Sequence, residues 1–176
     1  ALFIHQGITP VDTLPLRRAL AGPLTRRRME ELGLSPTQAV VAVSSDRMSR
    51  EVSDTTRSLA LSFRYVLLSV QSGGAEFARS LRREYGISLL LDPSPDQLDR
   101  ADALLLFSPR EDLAQENRVL CALYPGGEAG RGRLPLCLPA GLAERLEPNC
   151  GQEQLSAALY ALGAVSLETL LAEIPC

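Results

Sequence analysis

The chain has 176 residues, of which 45% are apolar and 22% charged, enough length and apolar content for one domain with a real core. Its net charge of −3 excludes the strongly basic face of a nucleic-acid-binding protein, and the apolar runs are far shorter than the ~20 residues that span a bilayer. All eighteen basic side chains are Arg and there is a single His, His5, so lysine Schiff bases and a P-loop phosphate lysine are excluded from this chain.

In chain order, Leu2-Phe3-Ile4 reads as an edge strand and Ile8-Thr9-Pro10 as a loop. Pro15 suits the first turn of a helix that Gly22-Pro23 should end. A second short helix is expected from Leu24 to Leu32, closed by Gly33, with Leu34 making the apolar contact that accompanies a glycine C-cap. The triplet Arg26-Arg27-Arg28 could bind phosphate, but Glu30 and Glu31 lie three and four residues on and predict a solvated, ion-paired face.

Four apolar runs follow: Ala39–Val43, Tyr65–Val70, Ile87–Leu91 and Ala103–Phe107, the second within a strand expected from Arg64 to Val70. Between them lie segments with helical periodicity, a pattern that describes βαβ units on a parallel sheet buried on both faces. Met48, Val52, Thr56, Leu59 and Phe63 form one helical stripe. Gly73-Gly74 turns into a second helix carrying Phe77, Ala78, Leu81 and Tyr85, stopped at Gly86. Ser94-Pro95-Asp96-Gln97 has the form of a capping box with Pro at the first helical position. The same signal at Ser108-Pro109-Arg110-Glu111 predicts a helix running to about Tyr124.

The glycine-rich stretch Pro125–Arg133 follows a helix and precedes a strand, the reverse of a phosphate-cradling loop, so it reads as a surface loop. Leu134–Leu138, flanked and interrupted by proline, is the expected fifth strand, at an edge. Two terminal amphipathic helices should bury Leu155, Ala158, Leu159 and Leu162, and then Leu167, Leu170, Leu171 and Ile174, on the sheet or across a homodimer. The four cysteines, Cys121, Cys137, Cys150 and Cys176, show no C-x-x-C and no nearby His, so free thiols and no metal are expected. No signal-like segment opens the chain, and a cytoplasmic location follows as the expectation. The all-Arg usage points to a GC-rich bacterial genome.

The run Arg100-Ala101-Asp102-Ala103-Leu104-Leu105-Leu106-Phe107-Ser108-Pro109, preceded by strand, helix, strand, helix and strand, resembles the NAD(P)-binding Rossmann domain of the shikimate dehydrogenase and glutamyl-tRNA reductase type. Ala75–Gly86 is similar to the second crossover helix of those families. The resemblance covers residues 39–109 and implies a three-layer, doubly wound α/β fold with strand order 3-2-1-4-5 and any ligand over the C-terminal ends of strands one and four. It divides the chain into an N-terminal extension, 1–38, and a Rossmann-like domain, 39–176, with additional helices at both ends.

The dinucleotide fingerprint itself is absent. Where G-x-G-x-x-G should stand, the residues are Ser44, Ser45, Asp46, Arg47, Met48 and Ser49. Those glycines allow a tight turn, close backbone approach to pyrophosphate and close helix packing. Asp46 instead adds a Cβ and a negative charge, with a repulsion of several kcal/mol against a phosphate at ~4 Å. As a helix N-cap the same carboxylate would be explained without a ligand. The acid expected after strand two is also missing, leaving Ser69, Val70, Gln71 and Ser72.

The candidate ligand-binding residues are therefore Ser44, Ser45, Asp46, Arg47, Ser49, Gln71, Ser72 and Ser108, with Arg50 and Asp92 nearby; no catalytic or metal-ligating residue is assigned. The expected function is a non-catalytic ligand-binding or protein-interaction module, taking a small molecule or a protein partner and no cofactor, nucleic acid or membrane. The alternative is an oxidoreductase using NAD or NADP, or the nucleotide-binding domain of a larger enzyme.

Overall fold

The computed structural model describes residues 11–127 and 151–172. They belong to two compact units: 11–17 with 151–172 in one, and 18–127 in the other.

The larger unit is built on a parallel sheet of five strands, β1 (Val40–Ser45), β2 (Tyr65–Val70), β3 (Leu90–Leu91), β4 (Ala103–Leu106) and β5 (Val119–Ala122), in the order β3-β2-β1-β4-β5. The central strand β1 pairs along its length with β2, Val41 opposite Val66 and Ser44 opposite Ser69, and on its other side with β4, Val41 opposite Ala103. Successive residues of a strand point to opposite faces, and the two faces carry separate cores. Val41, Val43, Val66, Leu68, Ala103 and Leu105 pack with Val52, Leu59 and Leu81 from the crossover helices. Ala42, Leu67, Leu104, Leu106 and Leu120 pack with Leu98, Ala101 and Leu113. Burial on both faces is why these strands read as continuous apolar runs. The result is the three-layer α/β fold with order 3-2-1-4-5.

Helix α1 spans Leu14–Glu31 without a break, although Gly22-Pro23 reads as a terminator. Pro23 removes one backbone donor, but Leu20, Ala21, Leu24 and Met29 are buried along the helix, and that apolar stripe outweighs a single missing hydrogen bond. Gly22 is a packing residue: a Cβ there would lie 2.7 Å from Ser58 Oγ on helix α2 (Arg50–Ser62). The end of α1 matches expectation. Gly33, at φ +68°, donates to Glu30 O and Leu34 to Met29 O, the paired bonds of a Schellman motif. Arg26 pairs with Glu30 at 3.6 Å and Arg28 with Glu31 at 2.8 Å, so two of the three arginines are ion-paired as expected.

Helix α2 is capped by Ser49, whose Oγ accepts from Val52 N at 3.2 Å. Asp46 is thus not the N-cap; it stands in the turn three residues earlier, outside hydrogen-bond register with the first helical amides. Gly73, at φ +83°, and Gly74 make the tight entry into helix α3 (Gly74–Tyr85). A Cβ on Gly74 would come within 2.6 Å of Val70, so the close strand–helix glycine serves the second βα unit instead of the first. Of the third apolar run only Leu90–Leu91 is strand, while Ile87 and Leu89 pack against the core without pairing. Helix α4 (Pro95–Asp99) carries the complete capping box of Ser94 and Gln97.

The helix expected from Ser108 to Tyr124 does not form. Residues 107–118 are a loop and Val119–Ala122 is β5, pairing with β4 from Ala103 opposite Val119 to Leu106 opposite Ala122. Side chains tie the segment to α4 and its C-terminal end, and two amides that a helix would use go to Asp99 instead. Asp99 accepts from the amides of Ala114 and Gln115 at 3.1 and 3.0 Å. Buried Asn117 donates from Nδ2 to the carbonyls of Leu98, Asp99 and Ala101 at 2.9, 3.2 and 2.8 Å. The fifth strand is therefore this segment; Leu134–Leu138 lies outside the described residues, as do Leu2–Ile4, most of the glycine-rich stretch, and Cys137, Cys150 and Cys176.

In the smaller unit, α5 (Gln152–Ala161) and α6 (Leu167–Ala172) are the two terminal helices, and Arg17 pairs with Glu153. The buried face of α5 differs from the expected leucine stripe: Ser156 and Ala157 are buried, while Leu162 is 81% exposed. Gly163 and Ala164 donate to Tyr160 O and Leu159 O, a Schellman stop that ends the helix at Ala161 and leaves Leu162 as an outward cap residue. Ser156 is buried with its hydroxyl satisfied by Gln152 O at 2.8 Å. Leu170 on α6 is buried as expected, and Ile174 lies outside the described residues. Among the described residues no helix is long and apolar enough to cross a membrane.

Candidate functional site

At the C-terminal ends of β1, β2 and β3 the sheet opens into a cleft of about 290 Å³ lined by Ser45, Asp46, Ser69, Val70, Gln71, Asp92, Pro93 and Arg110. Open α/β sheets place their ligands at the C-terminal ends of the strands where the order reverses, here between β1 and β4; the cleft lies to one side of that expected position, over β1, β2 and β3, and only Arg110 reaches it from the loop after β4. The parallel register carries β1 and β2 to the same height, so that Ser44 and Ser69 end side by side. Asp92 follows β3 in a left-handed conformation, φ +50°, with its amide still donating to Leu68 O on β2 at 3.2 Å.

Arg110 comes from the loop after β4 and ties the cleft together. Its Nη1 donates to Ser44 Oγ at 2.9 Å and to Ser69 Oγ at 3.2 Å. Its Nε and Nη2 donate to the two oxygens of Asp112, each at 2.7 Å, the bidentate geometry that makes guanidinium–carboxylate pairs strong. The loop itself is steadied by Gln115 Nε2, which donates to Arg110 O at 2.8 Å. The Asp112 hydrogen bond, then the fields of Asp112, Asp46 and Asp99, raise the arginine's pKa further, against partial burial. The same hydrogen bond holds the Asp112 carboxyl below its ordinary range.

The structure brings together only some of the residues expected to bind a ligand. Ser45, Asp46 and Gln71 line the cleft, and Asp92 joins them. Ser44 is buried behind it and acts through Arg110. Ser45 Oγ also donates to Arg47 O at 3.0 Å, folding the turn over itself. Arg47 is exposed and does not line the cleft, Ser49 is consumed as the α2 cap, and Ser72 takes part through its backbone carbonyl, which accepts from Met48 N at 3.4 Å. Ser108 is buried after β4 with its hydroxyl unpartnered, away from the cleft wall. Arg50 is exposed and pairs with Asp54 at 3.6 Å.

Sequence reasoning missed Arg110 and Asp112, because Ser108-Pro109 reads as a helix start. The signal was there: between Pro109 and Arg118 only Leu113 and Ala114 are apolar, so no buried helical stripe exists, and Val119-Leu120-Cys121-Ala122-Leu123 is an apolar run of strand length. The acid of the Asp102 run has a purely architectural place. Its Oδ2 accepts from Val40 N at 3.0 Å at the opposite, N-terminal edge of the sheet.

Asp46 puts negative charge in the first strand–helix turn, where the glycines of a dinucleotide fingerprint would stand, and Arg110, paired with Asp112, crosses the ends of β1 and β2. No family model, no curated protein and no solved structure matches the chain.

Proposed function

We propose that the crevice binds a small polar molecule without converting it, and that NAD(H) and NADP(H) are not its ligands. The observation that carries the reading is Arg110, anchored on Ser44 and Ser69 across the ends of β1 and β2. The cleft volume of about 290 Å³ is at the lower end of the range for ordinary small-molecule pockets, and its lining is more polar than usual, with only Val70 and Pro93 apolar among the eight residues, which suits a polar ligand. The lining offers two carboxylates, one paired arginine, hydroxyls and an amide. It offers neither Lys nor His, and the two acids are exposed.

Calorimetry with each of the four dinucleotides is the direct test, and no heat of binding is expected. A dissociation constant below about 10 μM, near −7 kcal/mol, would overturn the reading in favour of the oxidoreductase. The positive arm is amide chemical-shift mapping with a library of small polar fragments. Fragments that shift Ser45, Gln71 and Asp92 together are expected; fragments that bind only elsewhere on the chain would count against the crevice.

A further inference from the structure

We propose that the ligand of this crevice is a small zwitterion, a carboxylate and an ammonium group on one short carbon frame, and that Asp112 holds the carboxylate's place until it arrives. The inference rests on the reading of the crevice as a small-molecule site and names the chemical class it takes.

The argument begins with the arginine. Its guanidinium is oriented from behind: Nη1 bonds Ser44 Oγ and Ser69 Oγ, both on paired strands of the sheet. The edge formed by Nε and Nη2 is therefore aimed by the sheet and not by Asp112. That edge is a carboxylate receptor, and it is filled by a carboxylate, with two parallel bonds of 2.7 Å. The occupant can be replaced by its own kind. Asp112 is 49% exposed and sits on a loop, and because its two bonds to Arg110 are strong, only a group that makes both of them again can take its place. An incoming carboxylate recovers the same two bonds.

The remaining charges decide between ligands that all carry an anionic group. Asp46 and Asp92 both line the cleft and are exposed, and Asp46 is close enough for its field to act on Arg110. With two acids facing one arginine, a phosphate or a dicarboxylate would meet net negative charge. A ligand that brings its own cation meets complementary charge at both ends. Gln71 and Ser45 supply neutral hydrogen-bonding groups between them, and the cleft volume suits a molecule of amino-acid size.

The test titrates the twenty free L-amino acids one at a time into the full chain and into Asp112→Ala. Propionate, propylamine and inorganic phosphate serve as probes carrying one charge type alone. The expected result is binding of at least one amino acid, with each single-charge probe weaker by about tenfold or more. Asp112→Ala should bind about tenfold tighter, because an intramolecular competitor has been removed. Arg110→Gln should lose binding. Should that variant fail to fold, exposed Asp46→Asn replaces it and should weaken the amino acid while binding propionate at least as tightly as the wild type.

Absence of amino-acid binding by both the wild type and a folded Asp112→Ala would overturn the proposal, as would phosphate or propionate binding as tightly as the best amino acid. Either result leaves the small-molecule reading standing; tight dinucleotide binding would remove both.

Discussion

Gly22 on α1 and Ser58 on α2 meet so closely that a Cβ on the glycine would lie 2.9 Å from Ser58 Cβ and 2.7 Å from its Oγ. The backbone of α1 can reach α2 only because neither position carries a larger side chain. This contact explains a glycine in the middle of a helix, where it costs about 1 kcal/mol relative to alanine.

Gly22→Ala should therefore destabilise the protein by about 1–2 kcal/mol in denaturant titration, overpacking outweighing the gain in helix propensity. In a Ser58→Gly background the clash is gone, and the same substitution should become stabilising by about 0.5–1 kcal/mol. An unchanged sign in the second background would show that the helices do not meet at this point.

Asn117 is the second structural device to test. One side-chain nitrogen serves three carbonyls, those of Leu98, Asp99 and Ala101, and fastens the loop before β5 to the end of α4. Asn117→Ala should cost about 2–4 kcal/mol, since it leaves buried acceptors unsatisfied. Asn117→Asp should cost more, because it turns a carboxylate toward those same carbonyls. Equal losses in the two variants would mean that the amide nitrogen is not the group that matters.

The legibility of this fold in the sequence follows the strength of local signals. Val41, Leu67 and Leu105 lie in strands buried on both faces, and such strands announce themselves as apolar runs. Gly33 and Gly86 end helices because their left-handed conformations are nearly exclusive to glycine. Ser94 and Gln97 cap α4 through contacts three residues apart. The errors came where long-range contacts override a local rule. Pro23 is tolerated because the apolar face of α1 is buried, and the Ser108-Pro109 signal is overruled by Asp99 and Asn117, which lie before and after the segment they hold. For the site, Asp46 and Gln71 were readable from their places after β1 and β2. Arg110 was not, since its partners Ser44 and Ser69 are 66 and 41 residues away.

Leu170 gives a test of the smaller unit. It is 2% exposed on α6, so Leu170→Glu would bury a charge without a partner or open the helix from its seat. A loss of about 3 kcal/mol or more is expected, read as a lower thermal midpoint. Leu162→Glu, at a position 81% exposed, should leave the midpoint nearly unchanged. Comparable effects from both would show that the buried face of these helices is the leucine stripe after all.

Cys121 on β5 links burial to pH. Part of the residue reaches the surface, yet burial pushes its thiol up to about 11 from an ordinary value of 9.0, against a smaller opposing effect of Thr25. The raised value means that the folded state keeps the proton over a range in which the unfolded state has released it. Stability from this group is therefore fully present below about pH 9 and is lost as the pH rises toward about 11, a total of about 3 kcal/mol for a shift of two units. Cys121→Ala should flatten the decline of unfolding free energy over that window, although it lowers stability at neutral pH through the lost packing. The same burial predicts reactivity: only the thiolate attacks, so mass-spectrometric mapping after brief alkylation at neutral pH should find Cys121 unmodified in the native protein and modified in denaturant. Rapid labelling of native Cys121, or an unaltered alkaline decline in Cys121→Ala, would show that its thiol is open to water and that β5 is less securely paired to β4 than the register from Ala103–Val119 to Leu106–Ala122 requires.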